Sequence, residues 1–182
     1  MRGHPSRRVE LLGQQRTHGI VFSKDGQLVA GGSWGQDGVA VWDSKTGALV
    51  RKLEERNDAS AAFDQANRWC VTGTSSGYRF WSLRDWQPGP HLEISDLTSW
   101  AAAFSPDGRY LAVLEAGGKV GIFDGATAAH LADLEPPFSV APSFINFSND
   151  SRWLNVLGID QTIQRWDLLA LREELTRYGL NW

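Results

Sequence analysis

Short apolar runs separated by turn-forming residues recur along the whole chain. Between Trp100 and Phe123, Trp100 to Phe104 is apolar, Ser105-Pro106-Asp107-Gly108 is turn chemistry, and Tyr110 to Leu114 is a second run. Gly117-Gly118 then supplies a tight turn and Val120 to Phe123 a third run, so this stretch predicts strand, turn, strand, turn, strand. A further run follows the third strand in three places, at Ala48 to Leu53, His91 to Ile94 and His130 to Leu134, beside Gly47, Gly89 and Gly125. The unit is therefore four short strands in about 40 residues. The runs are too short for helices, and nothing between them is long enough for the crossover of a parallel sheet. From Leu168 the period changes: Leu168, Leu171, Leu175 and Tyr178 fall on one helical face, with Gly179 as a stop. This helix is expected to cap the last unit by packing on it, with Leu180 and Trp182 continuing its apolar face.

The same unit repeats in register. Val21-Phe22-Ser23-Lys24-Asp25-Gly26, Ala62-Phe63-Asp64-Gln65-Ala66-Asn67, Ala103-Phe104-Ser105-Pro106-Asp107-Gly108 and Asn146-Phe147-Ser148-Asn149-Asp150-Ser151 align, with their phenylalanines 41, 41 and 43 residues apart. A second anchor follows each Phe after 20, 18, 19 and 19 residues: Trp42-Asp43, Trp81-Ser82, Phe123-Asp124 and Trp166-Asp167. Two anchors in step make a local coincidence untenable and predict an array of like units rather than one irregular domain.

Ala-Phe-Ser-Pro-Asp-Gly at 103–108 with Trp-Asp at 42–43 and 166–167 resembles the WD40 repeat family, and the resemblance runs from about Val9 to Asp167. It implies an all-β fold of WD40-type β-propeller blades with a short C-terminal helix. The expected division is a flexible N-terminus at 1–8, four repeats at about 16–56, 57–97, 98–140 and 141–167, an added outer strand at 9–15, and a capping helix and tail at 168–182. The last stretch, from Trp166-Asp167-Leu168 to Trp182, also resembles the tail that closes WD40 regions of large bacterial proteins, many of which carry a serine/threonine kinase domain upstream. That resemblance implies a second reading, a detached regulatory part of such a kinase, although no kinase motif stands in this chain. The chain departs from the WD40 pattern at its Gly-His dipeptide: His18-Gly19 is reversed, and the places near Asn57-Asp58, Leu97-Thr98 and Ala141-Pro142 have no His. The expected blades rest on apolar packing more than on a buried polar network.

Composition sharpens this picture in a few places. Nine Trp and 19 Gly among 182 residues suit short strands, tight turns and a repeated aromatic. The net charge of −3 comes from 18 basic and 21 acidic residues without a basic run, which argues against nucleic acid or an anionic membrane as the main partner. A protein or peptide surface is the expected target. Cys70 stands alone in an apolar run and is expected to be a buried structural thiol, compatible with the reducing cytoplasm. Neither a signal peptide nor an apolar span is visible.

No catalytic chemistry emerges from the residues. The glycine-rich stretch from Gly31 to Gly38 lacks the Lys-Ser/Thr of a phosphate loop and lies where a hairpin turn belongs. His4, His18, His91 and His130 are scattered without metal-ligand spacing. Ser and Asp sit mostly in the turns that the repeats demand. The expectation is a non-enzymatic scaffold with no cofactor and no metal.

Trp42, Trp81 and Trp166, with Phe123 in the remaining place, end third strands and are expected to pack between blades, next to Asp43, Asp124 and Asp167. Trp34 and Trp100 fall outside that repeat. Trp34 lies in a turn between second and third strands and Trp100 at the start of a first strand, places that face the partner-docking surface in WD40 propellers. Together with Asp58 they are the expected partner-binding residues. Four such wedges are expected to leave a ring unclosed, calling for upstream blades or a second copy that exchanges the 9–15 strand.

Overall fold

In the computed structural model, which describes residues 8–54, 56–95, 97, 99–136 and 141–179, the chain forms four antiparallel sheets in a four-bladed propeller arrangement with one C-terminal helix. Blade 1 is β1 (Thr17–Phe22), β2 (Leu28–Ser33), β3 (Val39–Asp43) and β4 (Leu49–Leu53); blade 2 is β5 (Ser60–Phe63), β6 (Trp69–Thr74), β7 (Gly77–Ser82) and β8 (Pro88–Glu93). Blade 3 is β9 (Ala102–Phe104), β10 (Tyr110–Leu114), β11 (Val120–Asp124) and β12 (His130–Leu134), with a 3-10 turn at Ala116–Gly118. Blade 4 has three strands, β13 (Pro142–Phe147), β14 (Trp153–Gly158) and β15 (Ile163–Asp167), followed by α1 (Leu168–Arg177).

The repeated sequence positions become repeated contacts because residues directly paired across an antiparallel ladder share a face. One face of each blade carries Phe22, Val29 and Trp42, or Phe63, Cys70 and Trp81, or Phe104, Leu111 and Phe123, or Phe147, Leu154 and Trp166. The opposite, forward face carries Val21, Ala30 and Val41, or Ala62, Val71 and Phe80, or Ala103, Ala112 and Ile122. Each forward face packs on the rear face of the next blade, giving one apolar cluster between blades 1 and 2, one between 2 and 3 and one between 3 and 4. Central strands are thus covered on both sides, which is why β10 is buried at every position and its sequence shows no alternation. Cys70 is fully buried in the first of these clusters, and burial pushes its thiol up to about 12, the behaviour of an inert packing residue.

Turn chemistry recurs with the blades. Ser23 and Ser105 donate from Oγ to Asp25 and Asp107 at 2.7 Å each while accepting from Leu28 N and Tyr110 N, closing the first hairpin. In blade 2 Asp64 takes the serine's place, accepting from Arg68 N and Trp69 N. The residue that ends this turn is left-handed in all four blades, Gly26, Asn67, Gly108 and Ser151, with φ of 69°, 52°, 75° and 60°. After the third strand, Asp43 and Asp124 accept from the backbone and hydroxyl of Thr46 and Thr127 three residues on, so the Asp of the Trp-Asp anchor nucleates the next turn. Asp167 does the same work for a helix, capping α1 by accepting from Ala170 N and pairing with Arg152 at 2.6 Å.

Two expectations are corrected. Residues 9–15 form no strand. They run across the rear face of blade 1, where Leu11 packs on Val29, Ala40 and Trp42, and Leu12 O accepts from the Trp42 indole at 2.9 Å. Among the described residues blade 4 accordingly has three strands, and residues 8–15 add none to it. The helix does cap blade 4, with Leu168 buried and Leu171 packed on the blade 3–4 cluster, but Tyr178 is 75% exposed because Gly179, at φ +74°, ends the helix before that turn reaches the sheet. The N-terminal residues 1–7, Thr98 and the tail residues Leu180 and Trp182 lie outside the described residues.

Candidate functional site

Trp34 opens the turn between β2 and β3, and Asp58 reaches it from the loop before β5. One carboxylate oxygen of Asp58 accepts from Gly35 N at 2.7 Å and from Gln36 N at 2.8 Å. The turn needs such a clamp because two successive residues are held at positive φ, Gly35 at 122° and Gln36 at 66°. Those two amides hold the Asp58 carboxyl below its ordinary range. Ser33 and Ala59 exchange backbone hydrogen bonds at 3.1 and 3.2 Å just below, stitching blade 1 to blade 2. Trp34 itself is 59% exposed, with His18 edge-on to its ring at a centroid distance of 4.9 Å. A large aromatic is thus presented to solvent on a fixed turn.

The sequence-selected residues are not all alike in the fold. Trp34 and Asp58 meet directly. Trp100 is half-buried against the cluster between blades 2 and 3, and its carbonyl accepts from Ser60 Oγ. Of the repeat positions, Trp42 is buried on the rear face of blade 1 under the N-terminal segment rather than between two blades. Trp81 packs on the blade 1–2 cluster and donates to Thr72 Oγ1 at 2.9 Å, Phe123 sits in the blade 2–3 cluster, and Trp166 packs on the blade 3–4 cluster.

Trp34 stands at the rim of a cavity of about 550 Å³ lined by the innermost strands of all four blades. Ile20, Phe22, Phe63, Phe104, Phe144 and Ile145 make its walls largely apolar, and sequence reasoning did not single these residues out as a shared wall. Among the described residues no three His, Cys, Asp or Glu side chains converge as a metal would require, and no helix is long and apolar enough to cross a membrane. The cavity offers shape and apolar surface rather than reactive groups.

Titration connects this rim to stability. Burial lowers the His18 pKa, with Asp58 opposing the shift, so the fold prefers the neutral imidazole. The stability held in that preference is fully present above the ordinary histidine value of 6.5 and declines as pH falls from there through the lowered value. Asp25, Asp43, Asp124, Asp150 and Asp160 are shifted down by hydrogen bonds from hydroxyls and backbone amides. Their contribution is present above the ordinary carboxyl value of 3.8 and is lost as pH falls through the folded values. Denaturant unfolding followed from neutral to acid pH is therefore expected to weaken in two steps. His18→Asn should remove the first, just below 6.5, and leave the second, below 3.8.

The chain is similar to the transcription factor unc-37 of Caenorhabditis elegans, 28% identical over 171 residues that cover 86% of this chain. The chain spans 27% of that protein's length. No family model matches the chain. The four blades and their repeated Phe and Trp-Asp anchors make the chain a propeller-type array of four like units.

Proposed function

We propose that this propeller is a non-catalytic scaffold that holds a protein or peptide, seating apolar side chains in the central cavity and packing Trp34 over them. The observation that carries this reading is Trp34, more than half exposed on a turn locked by Asp58 at the rim of an apolar cavity. A free-standing aromatic costs little entropy to immobilise and is a favoured interface anchor. Trp100 is a second, more recessed contact. The similarity to a transcription factor agrees with an interaction role and leaves the partner's identity to experiment.

Peptides selected from a random displayed library on the wild-type chain provide the ligand for the test. Trp34→Ala is expected to weaken their binding by about 1 kcal/mol or more, with Trp100→Ala following in the same direction. Asp58→Lys should also weaken binding, because it removes the acceptor that holds the turn. Trp34→Ala and Asp58→Lys should unfold close to wild type in denaturant, since these rim side chains carry little of the core, whereas Trp100→Ala also loses packing on the blade 2–3 cluster and should unfold somewhat earlier. Unchanged calorimetric affinity in Trp34→Ala and Asp58→Lys would refute the assignment.

A further inference from the structure

The three interior blade contacts define what each blade face normally meets, and two faces of this chain lack that partner. The rear face of blade 1 has the standard Phe-aliphatic-Trp row, yet Phe22 is 58% exposed where its equivalents Phe63 and Phe104 are 6% and 7% exposed. The N-terminal segment covers Val29, Ala40 and Trp42 but leaves Phe22 and Ile20 open. The forward face of blade 4 is equally uncovered, and Phe144, Leu157 and Ile163, paired across its three strands, are all exposed. Innermost strands of successive blades pack together, β1 with β5, β5 with β9 and β9 with β13, whereas no comparable packing joins β13 to β1.

The composition of the blade 4 face departs from the interior ones in a telling way. Where the other forward faces have Val21-Ala30-Val41, Ala62-Val71-Phe80 and Ala103-Ala112-Ile122, blade 4 has Asn146-Asn155-Arg165. Asn155 donates to Asn146 at 3.1 Å, and the Arg165 guanidinium lies 4.0 Å over the Trp153 ring. An ordinary apolar rear face would leave these groups unpaired on docking. The rear face of blade 1 differs from an ordinary one in the matching place. There the sheet is overlaid by the segment 8–15, held on blade 1 through Leu12 O and Gln15 N, which brings the exposed polar side chains of Glu10 and Gln15.

We infer that a second copy of this chain closes the propeller, with blade 4 of each copy docking on blade 1 of the other. Phe144, Leu157 and Ile163 then pack beside Ile20 and Phe22, so that the cavity lined by Ile20, Phe22 and Phe144 widens into the central channel of the ring with Trp34 still at its rim, while Asn146, Asn155 and Arg165 face the segment 8–15 of the partner copy. Two such contacts, related by a two-fold axis, complete a ring of eight blades, within the range that propellers adopt. No strand is exchanged. The segment 8–15 stays on its own blade and forms part of the contact.

The test uses the purified chain and light scattering across a dilution series. The expected mass is twice 20.2 kDa, falling toward 20.2 kDa on dilution. Phe22→Asp blocks one face and Ile163→Asp the other; each variant alone is expected to be monomeric with unchanged near-ultraviolet circular dichroism. Ile163 is 69% exposed, so its substitution leaves the fold intact and keeps the test valid even if Phe22→Asp misfolds. An equimolar mixture of the two variants retains one intact contact and should recover a weaker dimer. A wild-type chain that is monomeric at every concentration overturns the inference, leaving the blade 1 face to a blade outside this sequence. So does a dimer that survives Ile163→Asp.

Discussion

Replacing Tyr78 with Ala is expected to destabilise the propeller by about 3–5 kcal/mol, the range for deleting a fully buried aromatic. Tyr78 lies on β7, is 0% exposed, and belongs to the cluster between blades 2 and 3. Its hydroxyl is 2.7 Å from Leu114 O, to which it donates, and 3.2 Å from Ala101 O, so one side chain of blade 2 ties two backbone carbonyls of blade 3. Burial holds the phenol well above its ordinary value, and it remains a donor throughout the usable pH range. Tyr78→Phe separates the two contributions. It keeps the ring and strips the hydroxyl, for an expected loss of about 1–3 kcal/mol from removing the buried donor to Leu114 O. Urea unfolding of the pair measures both, and equal losses for Ala and Phe would mean that the ring packs far less than its burial indicates.

Trp42→Ala should cost a comparable amount, again about 3–5 kcal/mol, but with a different local consequence. Trp42 is 1% exposed because Leu11 and Leu12 lie over it, and its indole donates to Leu12 O. Gln14 adds a hydrogen bond to Gly38 O and Gln15 another to Asp37, so the segment 8–15 is held as a strap on blade 1. Without the indole the strap loses its main apolar support and should open before the blades do. Trypsin is then expected to cleave at Arg16 faster in Trp42→Ala than in the wild type, while Trp42→Phe, which retains most of the packing, shows a smaller increase. Cleavage unchanged in the Ala variant would show that the strap is held independently of Trp42.

The propeller arrangement was legible because each blade repeats two anchors whose chemistry has one local solution. Phe22, Phe63, Phe104 and Phe147 head turns that need a serine or aspartate acceptor and a left-handed fourth residue, and these constraints sit within six residues of each other. The segment 9–15 was misread because an apolar stretch that pairs with a sheet edge and one that lies across a sheet face have the same composition. What separates them is the Trp42 indole on the face of the sheet, whose N–H donates to Leu12 O of the segment. Trp100 looked equivalent to Trp34 because both stand at loop positions. The difference arises from a neighbouring blade: Trp100 lies just before β9 and packs on the blade 2–3 cluster, whereas Trp34 tops a turn at the rim of the cavity. The cavity wall joins residues of four repeats far apart in sequence, and no local pattern marks it.

Where a partner sits is the claim on which the functional account turns. Titrating the isotope-labelled chain with a selected peptide and following amide and indole shifts by NMR addresses it directly. The account predicts that the largest changes fall on the Trp34 indole, Gly35, Gln36 and His18 and on the innermost strands β1, β5, β9 and β13. Changes concentrated instead on the outer strands β4, β8 and β12, with the Trp34 indole unmoved, would contradict it.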